Sequence, residues 1–264
     1  MKNHNLTYRF TAMFILACST NLLAISTTYA LELPATLQWS KRVELGTPIS
    51  GIIKTVIVNT GDRLKKGESL VKLDARNYSA AFDKATANAK NLREKRKEAQ
   101  RELDRAQELY DRTVLSDHDL QTAKNAKIEA DSDYATAKAE LVTAGLNLEY
   151  TDIKAPFDAF VLKRHVEVGQ TIISQLKPKI LVTIAAAGEM IARGYIAQDD
   201  LNGLTRGQSA TVVVVGLEFD GSIKHVGLEP VKTDKQGIYY EIDIVFNTGE
   251  RILRAGQQVT IKIP

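Results

Sequence analysis

The longest regular pattern of apolar and polar residues runs from Asn77 to Leu148. Apolar residues, mostly alanine, leucine and tyrosine, recur at alternating steps of four and three, first over Tyr78–Tyr110 and again over Leu120–Leu148. An average step near 3.5 residues keeps one apolar stripe facing a partner helix. No glycine or proline interrupts Tyr78–Ala144. The pattern predicts two long helices folded into an antiparallel coiled-coil α-hairpin.

Charged residues interrupt this stripe once in each arm, at Arg96 and at Lys127. The chain is predicted to reverse over residues 111–117, where Ser116 is suited to cap the second helix and Asp119 follows three residues on. Each arm would reach roughly 50 Å at ~1.5 Å per residue. A hairpin of that length cannot be buried in a small globular domain, so we expect it to project.

The segments on either side of the hairpin are rich in short strands and repeat each other. Pro48 lies thirteen residues before Gly61, and Pro156 lies thirteen residues before Gly169. The same alignment matches two pairs of strand residues, Ile53 with Val161 and Val58 with Val166. Each half alone would bury too little apolar surface to be stable. We therefore predict one small β-domain made of two interlocked halves, with the hairpin inserted between them.

The remaining chain, residues 188–264, alternates apolar strands with glycine turns, which is typical of a small β-barrel. A short helical turn is predicted over residues 198–204, between two of the strands. Before the first half-domain, apolar residues set among polar ones over residues 36–45 predict an extended lead-in strand.

The N-terminus has the pattern of a secretory signal, with two basic residues before an apolar run over residues 10–17. The run is too short to span a bilayer. Cleavage after Ala30 would give a mature start at Leu31, whereas a lipobox-like sequence would place a lipid on Cys18. We favour cleavage after Ala30, because residues 22–25 stay apolar where a lipid-anchored chain would have a polar tether. The mature protein would then contain no cysteine.

The net charge and the positions of residues that could bind metals or act in catalysis exclude several classes of function. The net charge of +3 is too small to argue for nucleic acid as a partner. His118, His165, His225 and the single downstream methionine, Met190, fall in separate predicted elements, which argues against a metal site. No nucleophile, phosphate loop or paired carboxylates stand in a supporting context, so we predict no enzyme and no cofactor.

The order of half-domain, helical hairpin, second half and barrel resembles that of periplasmic adaptor proteins, also called membrane fusion proteins, of tripartite efflux pumps. The matching motifs are Gly51-Ile52-Ile53, Gly61-Asp62, Lys66-Gly67, Ala155-Pro156-Phe157-Asp158, Val168-Gly169 and Leu253-Arg254-Ala255-Gly256-Gln257-Gln258-Val259. The resemblance implies a lipoyl-like fold for the two halves. A modifiable lysine is not expected, because Lys72 lies in a strand and Lys84 on a helix. Ala159 stands where the family has glycine, which we expect to alter a turn.

The predicted fold class is α+β multidomain: a split lipoyl-like β-domain with an inserted antiparallel coiled-coil α-hairpin, followed by a small β-barrel domain. The predicted domains are a signal peptide at 1–30, a lead-in strand at 31–45, the first lipoyl-like half at 46–76, the hairpin at 77–148, the second half at 149–184 and the barrel at 185–264. Because the chain stops at Pro264, we expect the membrane-proximal fourth domain of many family members to be absent or reduced.

The most specific match lies at the hairpin tip. Family members that dock on a TolC-type outer-membrane channel carry arginine, then leucine four residues on, then serine seven further on, and Arg105, Leu109 and Ser116 hold that spacing. The resemblance implies that these residues bind the channel: the arginine through several hydrogen bonds, the leucine as an apolar knob, and the serine by allowing close approach. The alternative is a solvated helix face on which three glutamates each pair with a base three residues on, namely Glu94 with Lys97, Glu98 with Arg101 and Glu102 with Arg105.

The resemblance implies a periplasmic adaptor subunit that links an inner-membrane efflux transporter to a TolC-type channel. The transporter class that we favour is the resistance-nodulation-division class. It also implies a homo-oligomeric ring in which the half-domains pack side by side. Two alternatives remain open: an adaptor of an ABC-type exporter, and a periplasmic coiled-coil scaffold with no transport partner.

Overall fold

The computed structural model describes residues 31–174, 179–234 and 237–264. The predicted signal peptide at 1–30, including Cys18, lies outside the described residues. Within them, no helix is both long and apolar enough to span a membrane.

Two long helices, α1 (Arg76–Asp111) and α2 (Asp117–Glu149), form an antiparallel pair. Arg96 Nε donates to Asp131 Oδ1 over 2.7 Å, and the Phe82 ring packs beside Gly145. In both pairs the residue numbers add up to 227, as expected for two helices that run in opposite directions. At 36 and 33 residues, each helix is about 50 Å long.

The predicted apolar stripe is the side along which the helices meet. Every predicted stripe position of α2 is buried or half-buried, including Lys127, and the same holds in α1 except at Arg96 and Tyr110. Ala89, Leu120 and Ala137 are the fully buried residues of the two helices. The helices and their contact face are as expected from the sequence, while the supercoiling of a true coiled coil stays a prediction.

The segments that flank the hairpin form two four-stranded sheets. The strands of the first are β2 (Arg42–Leu45), β9 (Val182–Ala186), β7 (Ala159–Arg164) and β4 (Arg63–Leu64), in that order; those of the second are β6 (Asp152–Lys154), β5 (Ser69–Leu73), β3 (Gly51–Val56) and β8 (Thr171–Ile172). Each sheet thus contains strands from before and after the hairpin. Buried residues of both halves make one apolar core, which we call the two-half domain.

The internal repeat is visible in the hydrogen bonds of the two-half domain. The Gly61 amide donates to the Val161 carbonyl over 2.8 Å, and the Gly169 amide donates to the Ile53 carbonyl over 2.8 Å. These are the residues that the thirteen-residue spacing matches, so the two bonds are related by an approximate two-fold axis. Both glycines have positive φ, 98° and 85°, which a side chain would strain. The repeat is therefore a structural one, and each half closes a turn of the other.

Some details of this domain differ from expectation. The sequence predicts a turn that leads into a strand over 47–53 and a second strand over 55–58. In the structure, β3 is one strand that begins at Gly51, with a shift of register between Ile53 and Thr55. Ala159 is fully buried as the first residue of β7 and has no positive φ, so its conformation does not need the family's glycine.

The third unit is a closed barrel with the strand order β1-β10-β13-β12-β11-β14. Its strands are β1 (Leu31–Trp39), β10 (Glu189–Ala197), β11 (Ser209–Val214), β12 (Leu217–Asp234), β13 (Gly237–Asn247) and β14 (Gln258–Ile263). The predicted helical turn is a 3-10 helix at Gln198–Leu201. The lead-in strand expected over 36–45 is divided between two sheets, because β1 closes the barrel against β14 whereas β2 joins the two-half domain.

Candidate functional site

The far end of the hairpin is built by a tight reversal between α1 and α2. The Val114 amide donates to the Leu109 carbonyl over 3.0 Å, and Thr113 takes a positive φ of 58°. Ser116 Oγ accepts from the Asp119 amide over 3.2 Å and donates to Asp119 Oδ2 over 2.6 Å. Ser116 is thus the N-cap of α2, as the sequence predicted.

The three residues predicted to bind a channel are all placed at this end. Arg105 and Leu109 lie one turn apart near the end of α1, and Ser116 begins α2. The Arg105 side chain is 64% exposed, Ser116 is exposed, and Leu109 is half-buried. The tip therefore presents a cation, part of an apolar side chain and a small polar residue on one short stretch. Their role in channel binding stays a prediction.

Arg105 already has a partner within its own helix. Its guanidinium binds the Glu102 carboxylate over 2.8 Å, and the two other predicted pairs, Glu94–Lys97 and Glu98–Arg101, are also formed. Hydrogen bonds from Lys97 and Arg101 lower the pKa values of Glu94 and Glu98 respectively. The face of α1 is thus self-paired, and a partner protein would compete with an exposed ion pair that is worth little in water.

The two residues that interrupt the apolar stripe share one carboxylate. Arg96 and Lys127 both donate to Asp131, and the Arg96 guanidinium also stacks 5.4 Å from the centre of the Tyr134 ring. Hydrogen bonds from Lys127 and then Arg96 hold the pKa of Asp131 below its usual range. Arg96, Lys127 and Asp131 form what we call the charged layer, halfway along the hairpin. The sequence showed the two cations but not their common partner, which only the antiparallel register brings between them.

Two motifs quoted for the adaptor resemblance meet across the two-half domain. The Lys66 amide donates to Asp158 Oδ1 over 2.8 Å, and the Gly67 amide donates to the Ala155 carbonyl over 2.8 Å. The amide of Lys66, followed by the nearby charge of Lys65, lowers the pKa of Asp158. These motifs join the halves, so the structure gives them a role in folding.

The barrel carries a polar cluster that sequence analysis missed. Arg193, Asp243 and His225 lie side by side on β10, β13 and β12, and Glu241 lies two residues before Asp243 on the same face. Arg193 binds both oxygens of the buried Asp243 carboxylate at 2.8 Å and also Glu241 at 3.1 Å. The His225 ring nitrogens lie 3.5 Å from Asp243 and 3.7 Å from Glu241.

The donor set of this cluster, one imidazole and two carboxylates, is one that a metal ion could use. Arg193 already pairs with both carboxylates, its single charge balancing one of the two, and the hydrogen bond to Asp243 raises the pKa of its guanidinium further. The cluster therefore acts as an ion-pair network that ties three strands together. Its only trace in the sequence is the alternation of Glu241 and Asp243 along β13.

Comparison with known proteins finds relatives that are similar to this chain in sequence. Macrolide export protein MacA of Yersinia pestis is 29% identical over 240 residues, which cover 84% of this chain and 64% of that protein. Cobalt-zinc-cadmium resistance protein CzcB of Cupriavidus metallidurans is 22% identical over 186 residues, which cover 68% of this chain and 34% of that protein. The chain thus spans less than two thirds of the length of these relatives.

A solved structure, that of the membrane fusion protein Spr0693 from Streptococcus pneumoniae R6, covers 89% of this chain and 98% of its own with a TM-score of 0.66. At 17% identity this likeness shows the fold alone. The family model described as CzcB-like, barrel-sandwich hybrid domain matches residues 41–185, which contain the two-half domain and the inserted hairpin. The chain belongs to this CzcB-like barrel-sandwich hybrid family.

Proposed function

We propose that the chain is a periplasmic adaptor subunit that links an inner-membrane efflux transporter to a TolC-type outer-membrane channel. The observation that carries the proposal is the hairpin itself. About 50 Å of paired helix rises from the two-half domain and ends in Arg105, Leu109 and Ser116. A rod of this kind suits a role in assembly, in which the subunit holds two other proteins together.

The relatives support the efflux part of the proposal through their names. MacA is named for macrolide export and CzcB for cobalt-zinc-cadmium resistance. The inner-membrane partner in our proposal is a transporter of the resistance-nodulation-division class, and an ABC-type exporter is the alternative. Co-purification of the adaptor with its transporter after cross-linking in cells would decide between the two classes.

At the tip, Arg105 would exchange its exposed partner Glu102 for carboxylates or carbonyls of the channel. Such an exchange is feasible because the intrahelical pair is solvent-screened and contributes only about 0–1 kcal/mol. Leu109 is partly exposed one turn further on and would add apolar contact. Ser116 caps α2 and would keep the turn narrow enough for close approach of the channel helices.

Arg105→Asp tests this assignment, and Arg101→Asp is its matched control. Both arginines lie on α1 one turn apart, and both pair with a glutamate three residues before them. We expect Arg105→Asp to abolish cross-linking of the tip to the channel and to stop export, with helicity unchanged, while Arg101→Asp keeps both. Unchanged cross-linking and export in Arg105→Asp would contradict the tip assignment. Export that is unchanged in a strain without any channel would favour the scaffold alternative.

A further inference from the structure

Near the middle of the rod, the two lateral flanks of the hairpin differ in charge. Arg93, Lys97, Gln100 and Lys127 line one cleft along the rod, together with Arg96 of the charged layer. We call this side the basic flank. On α1 it is marked by residues that lie one position after the apolar stripe, such as Arg93 after Leu92.

The opposite side is lined by Ala81 of α1, which lies one position before the stripe, together with Thr136 and Glu140 of α2. Two turns of a helix take about seven residues. Glu129 and Asp133 lie seven residues before Thr136 and Glu140, so they continue this side along the rod. Lys95 of α1, one position before Arg96, is a cation on this side, and the acidic residues outnumber it. We call it the acidic flank.

The charges of the two flanks lie at matching heights along the rod. Since facing residues of α1 and α2 have numbers that add up to 227, Asp133 is level with residue 94 and Glu129 with residue 98. Arg93 and Lys97 are therefore within one residue of those heights on the other flank. In a ring whose axis runs along the rods, neighbouring copies stand at the same height, and these charges would meet.

Most of these charges are not used within the chain. Among the described residues, the exposed side chains of Arg93, Glu129 and Asp133 form no hydrogen bond or ion pair, and Lys97 pairs only with Glu94. A contact between two basic flanks would bring like charges together and is disfavoured. A contact between a basic and an acidic flank is head-to-tail, and such contacts close into rings when the rotation between copies allows it.

We propose that the partner of the basic flank is the acidic flank of a second copy of this chain, with Arg93 against Asp133 and Lys97 against Glu129. This inference rests on the adaptor function proposed above, of which a ring of subunits is part. It identifies which surface of the hairpin makes the contact between neighbouring copies. It also predicts that the contact weakens in salt, because exposed charges are screened beyond about 10 Å at 0.1 M ionic strength.

Disulfide trapping tests the geometry. Cys18 is the single cysteine of the sequence, so K97C/E129C in the full chain with C18S has two thiols, one on each flank. Because the two positions lie on opposite sides of one hairpin, a disulfide joins two copies, and each copy has a second thiol for the next. We expect a ladder of covalent dimers, trimers and larger oligomers under mild oxidation. Monomers alone, or dimers from the K97C single variant, would overturn the head-to-tail arrangement.

Charge reversal tests whether attraction between the two flanks contributes to self-association. The measurement is sedimentation of the isolated chain at low salt. We expect R93E/K97E to weaken self-association about 10-fold, since two exposed pairs are lost and like charges meet, and R93E/K97E/E129K/D133K to restore it. The control R206E/K224E changes the net charge equally on exposed residues of the barrel. Association of R93E/K97E equal to that of the unaltered chain, or no rescue by the fourfold swap, would overturn the proposal. No channel or transporter is present, so this outcome is independent of the Arg105 test.

Discussion

Leu120 is the buried residue on which the shape of the hairpin tip depends most. It is 3% exposed, and the two other fully buried residues of the helices are alanines, Ala89 and Ala137. The register places Leu120 level with residue 107 of α1, next to the turns that contain Arg105 and Leu109. Truncation to alanine would remove the main apolar contact that holds the ends of the two helices together.

The size of the effect follows from the burial of this side chain. Leucine-to-alanine substitutions at fully buried sites cost about 2–5 kcal/mol, and less where the surroundings can close the cavity. The tip is a pair of helix ends that can move together, so we expect Leu120→Ala to cost about 2–3 kcal/mol. The loss is local, because the two-half domain and the barrel have separate apolar cores. It should raise the opening of the tip roughly 100-fold, since each 1.4 kcal/mol is a factor of ten.

Hydrogen exchange read by mass spectrometry measures this opening directly. In Leu120→Ala, amides of residues 103–124 should exchange roughly 100-fold faster, while those near Ala89 and in the barrel keep their protection. Val114→Ala is the control, because Val114 is 72% exposed at the same tip and its truncation should stay within about 0.5 kcal/mol. Equal protection of the tip in the unaltered chain and in Leu120→Ala would refute the argument from burial.

Three further predictions concern the other units. Val215 is 85% exposed and takes a φ of 49°, which strains a β-branched residue by about 1–2 kcal/mol. Val215→Asn should therefore raise the free energy of unfolding of the barrel by about 1 kcal/mol, measured by urea unfolding. An unchanged free energy of unfolding would argue against strain at this residue. A hydrogen bond from Arg76 lowers the pKa of Asp74 to about 2. The ionised Asp74 side chain therefore stabilises the fold fully above about pH 4, and this contribution is lost as the pH falls to about 2. In Asp74→Asn, the loss of helicity between these pH values should be smaller. Asp243→Ala removes the bidentate partner of Arg193 and should cost about 2–4 kcal/mol in thermal unfolding, whereas a cost below about 0.5 kcal/mol would mean that the pair is not structural.

The sequence predicted the features that depend on spacings within a single stretch of chain. The hairpin follows from a period of 3.5 residues, and the repeat follows from equal spacings that reappear as the bonds of Gly61 and Gly169. The pairing of Leu31 with Ile263 was not predicted, because it joins the two ends of the described chain and leaves no mark on either segment. The Arg193 cluster was missed for the same reason, since it depends on the register of three strands at once.

The residues of the predicted tip can be found from the sequence, whereas those of the proposed flank contact cannot. Arg105, Leu109 and Ser116 could be found from spacing, because they lie within twelve consecutive positions. The match between Arg93 and Asp133 could not, because it requires the register of α1 on α2. That register is also what determines which residues reach the far end of the rod.

The charged layer is the feature of the hairpin best suited to fix this register. In the observed register, Asp131 faces Arg96 and binds Lys127 as well. A shift of one helix by seven residues would keep the apolar stripe in contact, but it would separate Arg96 from its carboxylate. It would also bring the arginine level with a like charge, Lys124 or Lys138. A single polar layer in an apolar seam can specify alignment in this way, at some cost in stability. We therefore expect the layer to exclude shifted alignments.

Replacement of all three residues of the charged layer by leucine tests this role. Such a hairpin should keep its helicity and melt at an equal or higher temperature, but populate more than one alignment. In the C18S background, the pair A89C/A137C reports the native alignment, since both alanines are buried at nearly the same height, and A89C/A144C reports a shift of seven residues. With the charged layer intact, we expect a disulfide in A89C/A137C and none in A89C/A144C. With leucine at all three positions, we expect disulfides in both cysteine pairs. If only A89C/A137C forms a disulfide in the leucine variant, then the connecting turn at Thr113 and Ser116 sets the register without help from the charged layer.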